Sequence, residues 1–502
     1  MRFSSSAFQT DSGYHEHPIK ILRYSAKNLW LLIFPLLRSL RFYPFSFQNF
    51  IDWGAGAWFD LLVAFLILCF GTLRWYCCRF QLDAVSIRSS SGILLKQATE
   101  IPFSRITATV EEHPLYLRPL RAVRLQISTA SGSIPEANMK LILHQRDLHQ
   151  IRRHVPVLRN NSAQANAHPT PAWRVMIFSA LFSSSFSGAI YIAALFVQGG
   201  RITADLLEEF RARQLLEDAT DRASSVFQGV PRLAITIGIL ILSLWLISFG
   251  RNLLRYGRFR IRFSDDFISV HMGILNRRRF HLRDSAVVFP DLRQNLVMKI
   301  FGMVSLHILC PGYGSRRDTL PVLIPLVRQK TSWELLGKLH APQRLEHPHL
   351  KAKSQPIFFW SFVWPPVIGI GAVIAVRLLT LWLFPHLAQM IHFFALMLII
   401  PLLWFLVIRI VTLFTQSVSM DDCNVQFQFS RGSTFHTITV PRDHIVRADL
   451  MQTPIQKQYG VCHLYLICNG PKQQRFKLTA LPEQAARTII AALSADSHES
   501  AL

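Results

Sequence analysis

Acidic residues are scarce in this chain of 502 residues: 30 Asp and Glu stand against 54 Lys and Arg, a formal net charge of +24. An excess of base on that scale points to nucleic acid or to a membrane surface, and where the charge lies decides between them. Cysteine is sparse as well. Cys69, Cys77, Cys78, Cys310, Cys423, Cys462 and Cys468 form an odd set of seven with no CxxC spacing, so neither a disulfide framework nor a zinc knuckle is indicated. No GxGxxG or GxxxxGK[ST] phosphate loop and no HExxH helix occurs, and no convergent set of catalytic residues emerges. The expectation is a protein that is not an enzyme and carries no cofactor or metal. His15 and His17 flank Glu16 in a polar N-terminal segment and read as solvated residues. Asp421 and Asp422 read as a turn or cap, and the PGYGS stretch at Pro311 as a hairpin turn.

What the chain has in quantity is apolar sequence, at 50% of all residues, too much for a wholly soluble protein. A bilayer crossing needs about 20 consecutive apolar residues. The run LWLLIFPLL opens a first hydrophobic stretch that Arg38 and Arg41 interrupt; 55–73, 173–197, 233–249, 357–376 and 391–408 are cleaner. The expectation is about six membrane helices arranged as three hairpins. Residues 74–171 carry 13 Lys and Arg against 6 acids, and 250–355 carry 19 against 7, whereas 198–231 carries 4 against 6. Basic loops stay on the cytoplasmic side, so the charge predicts both termini and the long connections inside and 198–231 outside. The positive charge is then mostly topological, and nucleic acid is not expected as a partner. In the outer connection, Ile202, Leu206 and Phe210 share one side at helical spacing, with Asp205 near the start, which predicts a short amphipathic helix.

Between the apolar runs one pattern recurs three times, and self-similarity of this length precedes any local motif. It reads RWYCCRFQLD, a turn at SSSG, then GILLKQATEIPFSRI and a strand through Val123, Leu125 and Ile127. The second copy runs from RNLLRYGRFRIRF through GILNRRRFHLRDSAV to MKIFGMVSLHI, and the third from VQFQFSRGSTFHTITVPRDHI to IQKQYGVCHLYL. With Gly92, Gly273 and Gly432 in register, Ile101, Leu282 and Val440 align within one residue, as do Ile127, Ile308 and Leu466. Alternation within each copy is the period-2 signal of half-buried strands, and each copy ends in a helical stretch. Short antiparallel strands closed by one helix predict a small curled sheet or barrel with the helix at an open end. The boundaries expected are a tail at 1–27, hairpins at 28–73, 161–249 and 351–414, and β-rich domains at 74–160, 250–350 and 415–495.

The hydrophobic hairpin, the basic exit RWYCCRF, the turn SGIL, the segment IPFSRI and the strand AVRLQISTASG resemble the bacterial membrane-flanked domain, the second type of bacterial pleckstrin-homology (PH)-like domain. Three copies in this order resemble the YdbT-like membrane proteins. The resemblance implies α+β PH-like domains, a curled antiparallel sheet with a C-terminal helix, and implies no activity. The second copy departs from it with LRDSAV in place of IPFSRI. Three PH-like domains beside a bacterial inner membrane suggest lipid, peptide or protein-partner binding in a scaffold role, with anionic headgroups or a smaller single-domain relative as partners. A transporter or export path through the helices is the alternative, and Asp60 and Arg377, in or beside the spans, are its candidate polar residues. For headgroup contact the candidates are Arg118, Lys299 and Lys457, each nine residues before the anchors Ile127, Ile308 and Leu466.

Overall fold

Alternating sequence forms strands here because successive side chains point to opposite faces of a pleat. In Asn424–Arg431, for example, Val425, Phe427 and Phe429 are buried while their neighbours are half-exposed. The computed structural model describes residues 13–38, 58–130, 137–158, 166–181, 232–264, 266–313, 321–339, 342, 345, 348–469 and 474–499. Among the described residues, seven strands build each of three units. Unit 1 has β1 (Tyr14–His15), β2 (Arg79–Leu82), β3 (Ser86–Ser91), β4 (Gln97–Pro102), β5 (Ile106–His113), β6 (Ala122–Thr129) and β7 (Met139–His144). Unit 2 has β8 (Asn166–Pro169), β9 (Arg260–Phe263), β10 (Phe267–Met272), β11 (Arg277–Arg283), β12 (Phe289–Asn295), β13 (Met303–Leu309) and β14 (Val322–Arg328). Unit 3 has β15 (Leu350–Lys353), β16 (Ser417–Met420), β17 (Asn424–Arg431), β18 (Thr434–Pro441), β19 (Ile445–Met451), β20 (Val461–Cys468) and β21 (Gln474–Pro482).

The helices are α1 (Ile19–Arg38), α2 (Trp58–Tyr76), α3 (Gln145–His154), α4 (Ala172–Leu181), α5 (Arg232–Tyr256), α6 (Leu296–Ile300), α7 (Gln329–Leu336), α8 (Trp360–Leu383), α9 (Ala388–Thr415), α10 (Pro454–Gln458) and α11 (Glu483–Glu499). The closing helices α3, α7 and α11 bury Leu148 and Ile151, Leu335 and Leu336, and Ala486 and Ile489 in the cores of their own units. Among the described residues, three helical stretches are long and apolar enough to cross a membrane: Trp58–Tyr76, Pro356–Leu383 and Phe394–Thr415. The expected span 233–249 is helical within α5, and 173–197 is described only as far as Leu181. The outer connection 198–231, with Ile202, Asp205, Leu206 and Phe210, lies outside the described residues.

Three expectations need correction. The segment before the first span is not a solvated tail, since its described part contains β1 and the start of α1, nine residues ahead of position 28. Glu16 takes Lys20 and the amide of Ile142, and its carbonyl accepts from Trp75 Nε1 at 2.8 Å. Next, β1, β8 and β15 precede the hairpins yet pair with β2, β9 and β16 beyond them, so each hairpin is bracketed by two strands of one sheet.

The third correction is the largest: the units are not separate barrels. The sheets run β1-β2-β3-β4, then β7-β6-β5-β11-β10-β9-β8, then β14-β13-β12-β18-β17-β16-β15, then β19-β20-β21. Each inner sheet therefore takes three strands from one unit and four from the next. The two joints share a register: Val110 lies opposite Phe280 and Asp291 opposite Ile438, positions equivalent when Ile101, Leu282 and Val440 are aligned. Ala108 and Val110 are buried in the core of unit 2, and Phe289 and Leu309 in that of unit 3.

Candidate functional site

The strand order brings two of the three basic residues singled out in the sequence, Arg118 and Lys299, to the joints. Arg118, Lys299 and Lys457 are structurally equivalent, each following or ending a short helix between the fifth and sixth strands of its unit. Their surroundings differ. Arg118 donates across the first joint to the carbonyls of Ile274 (3.0 Å) and Leu275, in the Gly273 turn of unit 2. Lys299 crosses the second joint, its Nζ 4.2 Å from the centroid of Phe435 in unit 3. Burial pushes its ammonium below the ordinary lysine value. Lys457 is exposed and contacts no other unit among the described residues. The structure thus does not gather the three into one site; Arg118 is a tie between units, and Lys299 lines a cavity.

That cavity is a cleft of about 670 Å³ at the second joint, within the usual range for a small-ligand site. Its floor is the outward face of β15 to β18, where period-2 alternation presents Lys351 and Lys353, Ser417 and Ser419, Gln426 and Gln428, and Thr437 side by side. Unit 2 supplies Lys299, Gln294, Gln329 and Trp333, and the end of α9 supplies Phe414 and Thr415. Among the described residues, no Asp or Glu lines it. His436, on its wall, meets the fully buried carboxylate of Asp291 at 3.0 Å, which Arg293 also holds at 2.7 Å. Burial pushes the Asp291 carboxyl up, but His436 and Arg293 outweigh it and hold the group well below the carboxylate range. The positive lining is therefore backed by a neutralised acid rather than by an open one. Sequence reasoning passed over Lys351 and Lys353, although the KAK alternation after the second unit was a readable sign of two lysines on one strand face.

The remaining candidates take structural places. Asp60 is in the first turn of α2, where a carboxylate suits the positive end of the helix dipole. Arg377 of α8 donates to His392 Nδ1 of α9 at 3.0 Å, tying the two helices of the hairpin. Asp421 accepts from the amides of Cys423 (3.0 Å) and Asn424 (2.7 Å), the expected turn. His17 accepts from the amide of Ile19 and bonds the carbonyl of Leu120 at 3.1 Å. All seven cysteines are free thiols, and burial pushes Cys310 and Cys468 up to about 12, where they are inert. No cluster of three metal-ligating side chains exists among the described residues.

The comparisons with known proteins agree with this architecture. The family described as Bacterial PH domain matches twice, over residues 34–156 and 220–342, the first match taking in α2, the second α5, and each most of one unit. The transmembrane protein YdbT of Bacillus subtilis (strain 168) is 22% identical over 348 residues, which cover 62% of this chain and 66% of the relative, just under two thirds of its length. No solved structure matches. With the domain matched in its first and second units and a transmembrane relative along most of its length, this chain is YdbT-like and carries the bacterial PH domain twice.

Proposed function

We propose that this is a non-enzymatic scaffold that holds three PH-like units against the cytoplasmic face of a bacterial inner membrane and binds an anionic lipid headgroup in the cleft between units 2 and 3. The third unit is included because its strand pairing repeats that of the two matched units. The orientation rests on the basic excess of the connections that carry the strands. The observation that carries the ligand class is the cleft itself: three lysines and, among the described residues, no acid, opening beside Phe414 and Thr415, the last turn of a helix apolar enough to cross the bilayer. Each lysine near an anionic leaflet contributes about 1 kcal/mol. Nothing in the described residues favours a transport path, since Asp60 and Arg377 are accounted for by a helix terminus and a hairpin tie.

The test is lipid retention by the purified full chain, read by native mass spectrometry against vesicles of phosphatidylglycerol and of phosphatidylcholine. The triple variant Lys299→Glu/Lys351→Glu/Lys353→Glu is expected to lose the bound anionic lipid while keeping its unfolding temperature. Retention of the same lipid by a folded triple variant refutes the site. Competition by free glycerol phosphate separates a headgroup site from one for soluble phosphate esters.

A further inference from the structure

In every unit the connection between the fifth and sixth strands is built alike. A short helix buries its third residue, Leu117 (1% exposed), Met298 (1%) and Gln456 (2%). Three positions on come Leu120, Phe301 and Tyr459, each followed by a residue in the left-handed region: Arg121 (φ 51°), Gly302 (φ 62°) and Gly460 (φ 60°). That turn sends the chain back into the sheet and throws the preceding side chain outward. Leu120 is 49% exposed, Phe301 69% and Tyr459 53%. A tight turn tip is ordinarily Gly, Asn, Asp or Ser, so a large apolar residue at the same tip in all three copies calls for an apolar partner.

The position of the tips names that partner. The ring of Tyr459 lies 6.2 Å from that of Phe358, tilted by 51°, and Phe358 lies inside the candidate span Pro356–Leu383. The helix before Phe301 packs Leu296 against Ile408 of the span Phe394–Thr415. Leu120 is bonded to His17, beside Glu16, whose carbonyl holds Trp75 in the last turn of the span Trp58–Tyr76. All three tips therefore stand at the level where helices enter the bilayer on the side of the units. We propose that Leu120, Phe301 and Tyr459 insert into the interfacial zone of that leaflet, fixing the array flat on the membrane at three points. Aromatic and bulky aliphatic side chains favour that zone, where an apolar body meets a wet boundary. This rests on the membrane placement of the proposed function but not on its cleft, because apolar insertion needs no anionic headgroup.

The experiment places the photo-crosslinking residue benzoylphenylalanine at positions 120, 301 and 459, one at a time, in the full chain reconstituted into pure phosphatidylcholine. Val85 is the control: it is 69% exposed but lies beyond the end of β2 that is farther from the membrane helix. Several-fold more lipid adduct at each tip than at position 85 is expected, and the triple lysine variant of the cleft should give the same adducts. Adduct yields equal to the control, or crosslinks to protein in place of lipid, overturn the proposal. In the cleft variant, headgroup retention with adducts at all three tips would overturn the cleft alone, and lost retention with adducts at the level of the control would overturn the tips alone.

Discussion

Phe289 belongs by sequence to unit 2 and by burial to unit 3, where it is wholly enclosed with its ring 6.2 Å from that of Phe476. Truncating a buried phenylalanine costs about 3–5 kcal/mol, the transfer loss plus the cavity left behind. Phe289→Ala should therefore lower the unfolding temperature of the detergent-solubilised chain sharply, while Val85→Ala, on the surface, should stay within about 0.5 kcal/mol of the parent. A mild effect of Phe289→Ala would mean that the second joint contributes little to stability. Gly312 has the same logic in reverse. It adopts φ +81°, and an added Cβ would sit 2.2 Å from Cβ of Ser128 in unit 1, so no side chain fits between the loop of one unit and the strand of the other.

At the level of elements, the first joint should weaken in acid. On β10 and β11, burial pushes His271 and His281 from the ordinary 6.5 down to about 4; Arg279 adds to both, while Glu111 opposes. A histidine whose folded pKa is depressed binds fewer protons folded than unfolded, so its contribution is complete above about 6.5 and falls away as pH drops toward 4. Glu111, fully buried on β5, is pushed up by burial, but the hydrogen bonds and charge of Arg152 outweigh this and hold it low. Its contribution persists to lower pH and is lost only as the solution passes through that depressed value. Thermal unfolding scanned from pH 8 to 4 should show a midpoint falling progressively below pH 6.5, with a shallower slope in His281→Gln. An unchanged slope in that variant would remove the histidine from the explanation.

On the scale of the whole molecule, β4 in unit 1 and β19 in unit 3 occupy the strand positions that pair across the two joints, and among the described residues neither has a partner strand on that side. Bare edges invite further strand addition, and proteins blunt them with polar or charged side chains. The residues here follow that rule. Where the inner joints place buried Ala108 and Phe289, β19 has Arg447, 68% exposed and bonded to Asp449 at 2.6 Å; where they place Phe280 and Ile438, β4 has Thr99. Polar terminal repeats are what stops a stacked array from growing. The double variant Thr99→Ile/Arg447→Phe, which restores inner-joint residue types at both ends, should form larger species as concentration rises, as measured by light scattering in detergent. A double variant of parental size at every concentration would show that something other than these residues closes the ends.

How much of this was legible depended on distance along the chain. The sequence by itself determined the local periods: the turns at Gly92 (φ +117°), Gly273 (φ +96°) and Gly432 (φ +63°) and the strands around Ile101, Leu282 and Val440. It also determined three stretches apolar enough to span, because length and hydropathy are properties of adjacent residues. It aligned Arg118, Lys299 and Lys457 correctly, since equivalent backbone positions repeat with the fold. Only the tertiary structure decided what those bases touch, because β5 carries no mark that its partner is β11, some 170 residues away, and β12 none for β18. Nor could the alternation of β5 announce that Glu111 and Glu112 would be buried against Arg152 and Arg278. Strand pairing between units is a choice among chemically similar edges, made by which cores Ala108 and Phe289 complete, and that is settled by packing in three dimensions rather than by any local pattern.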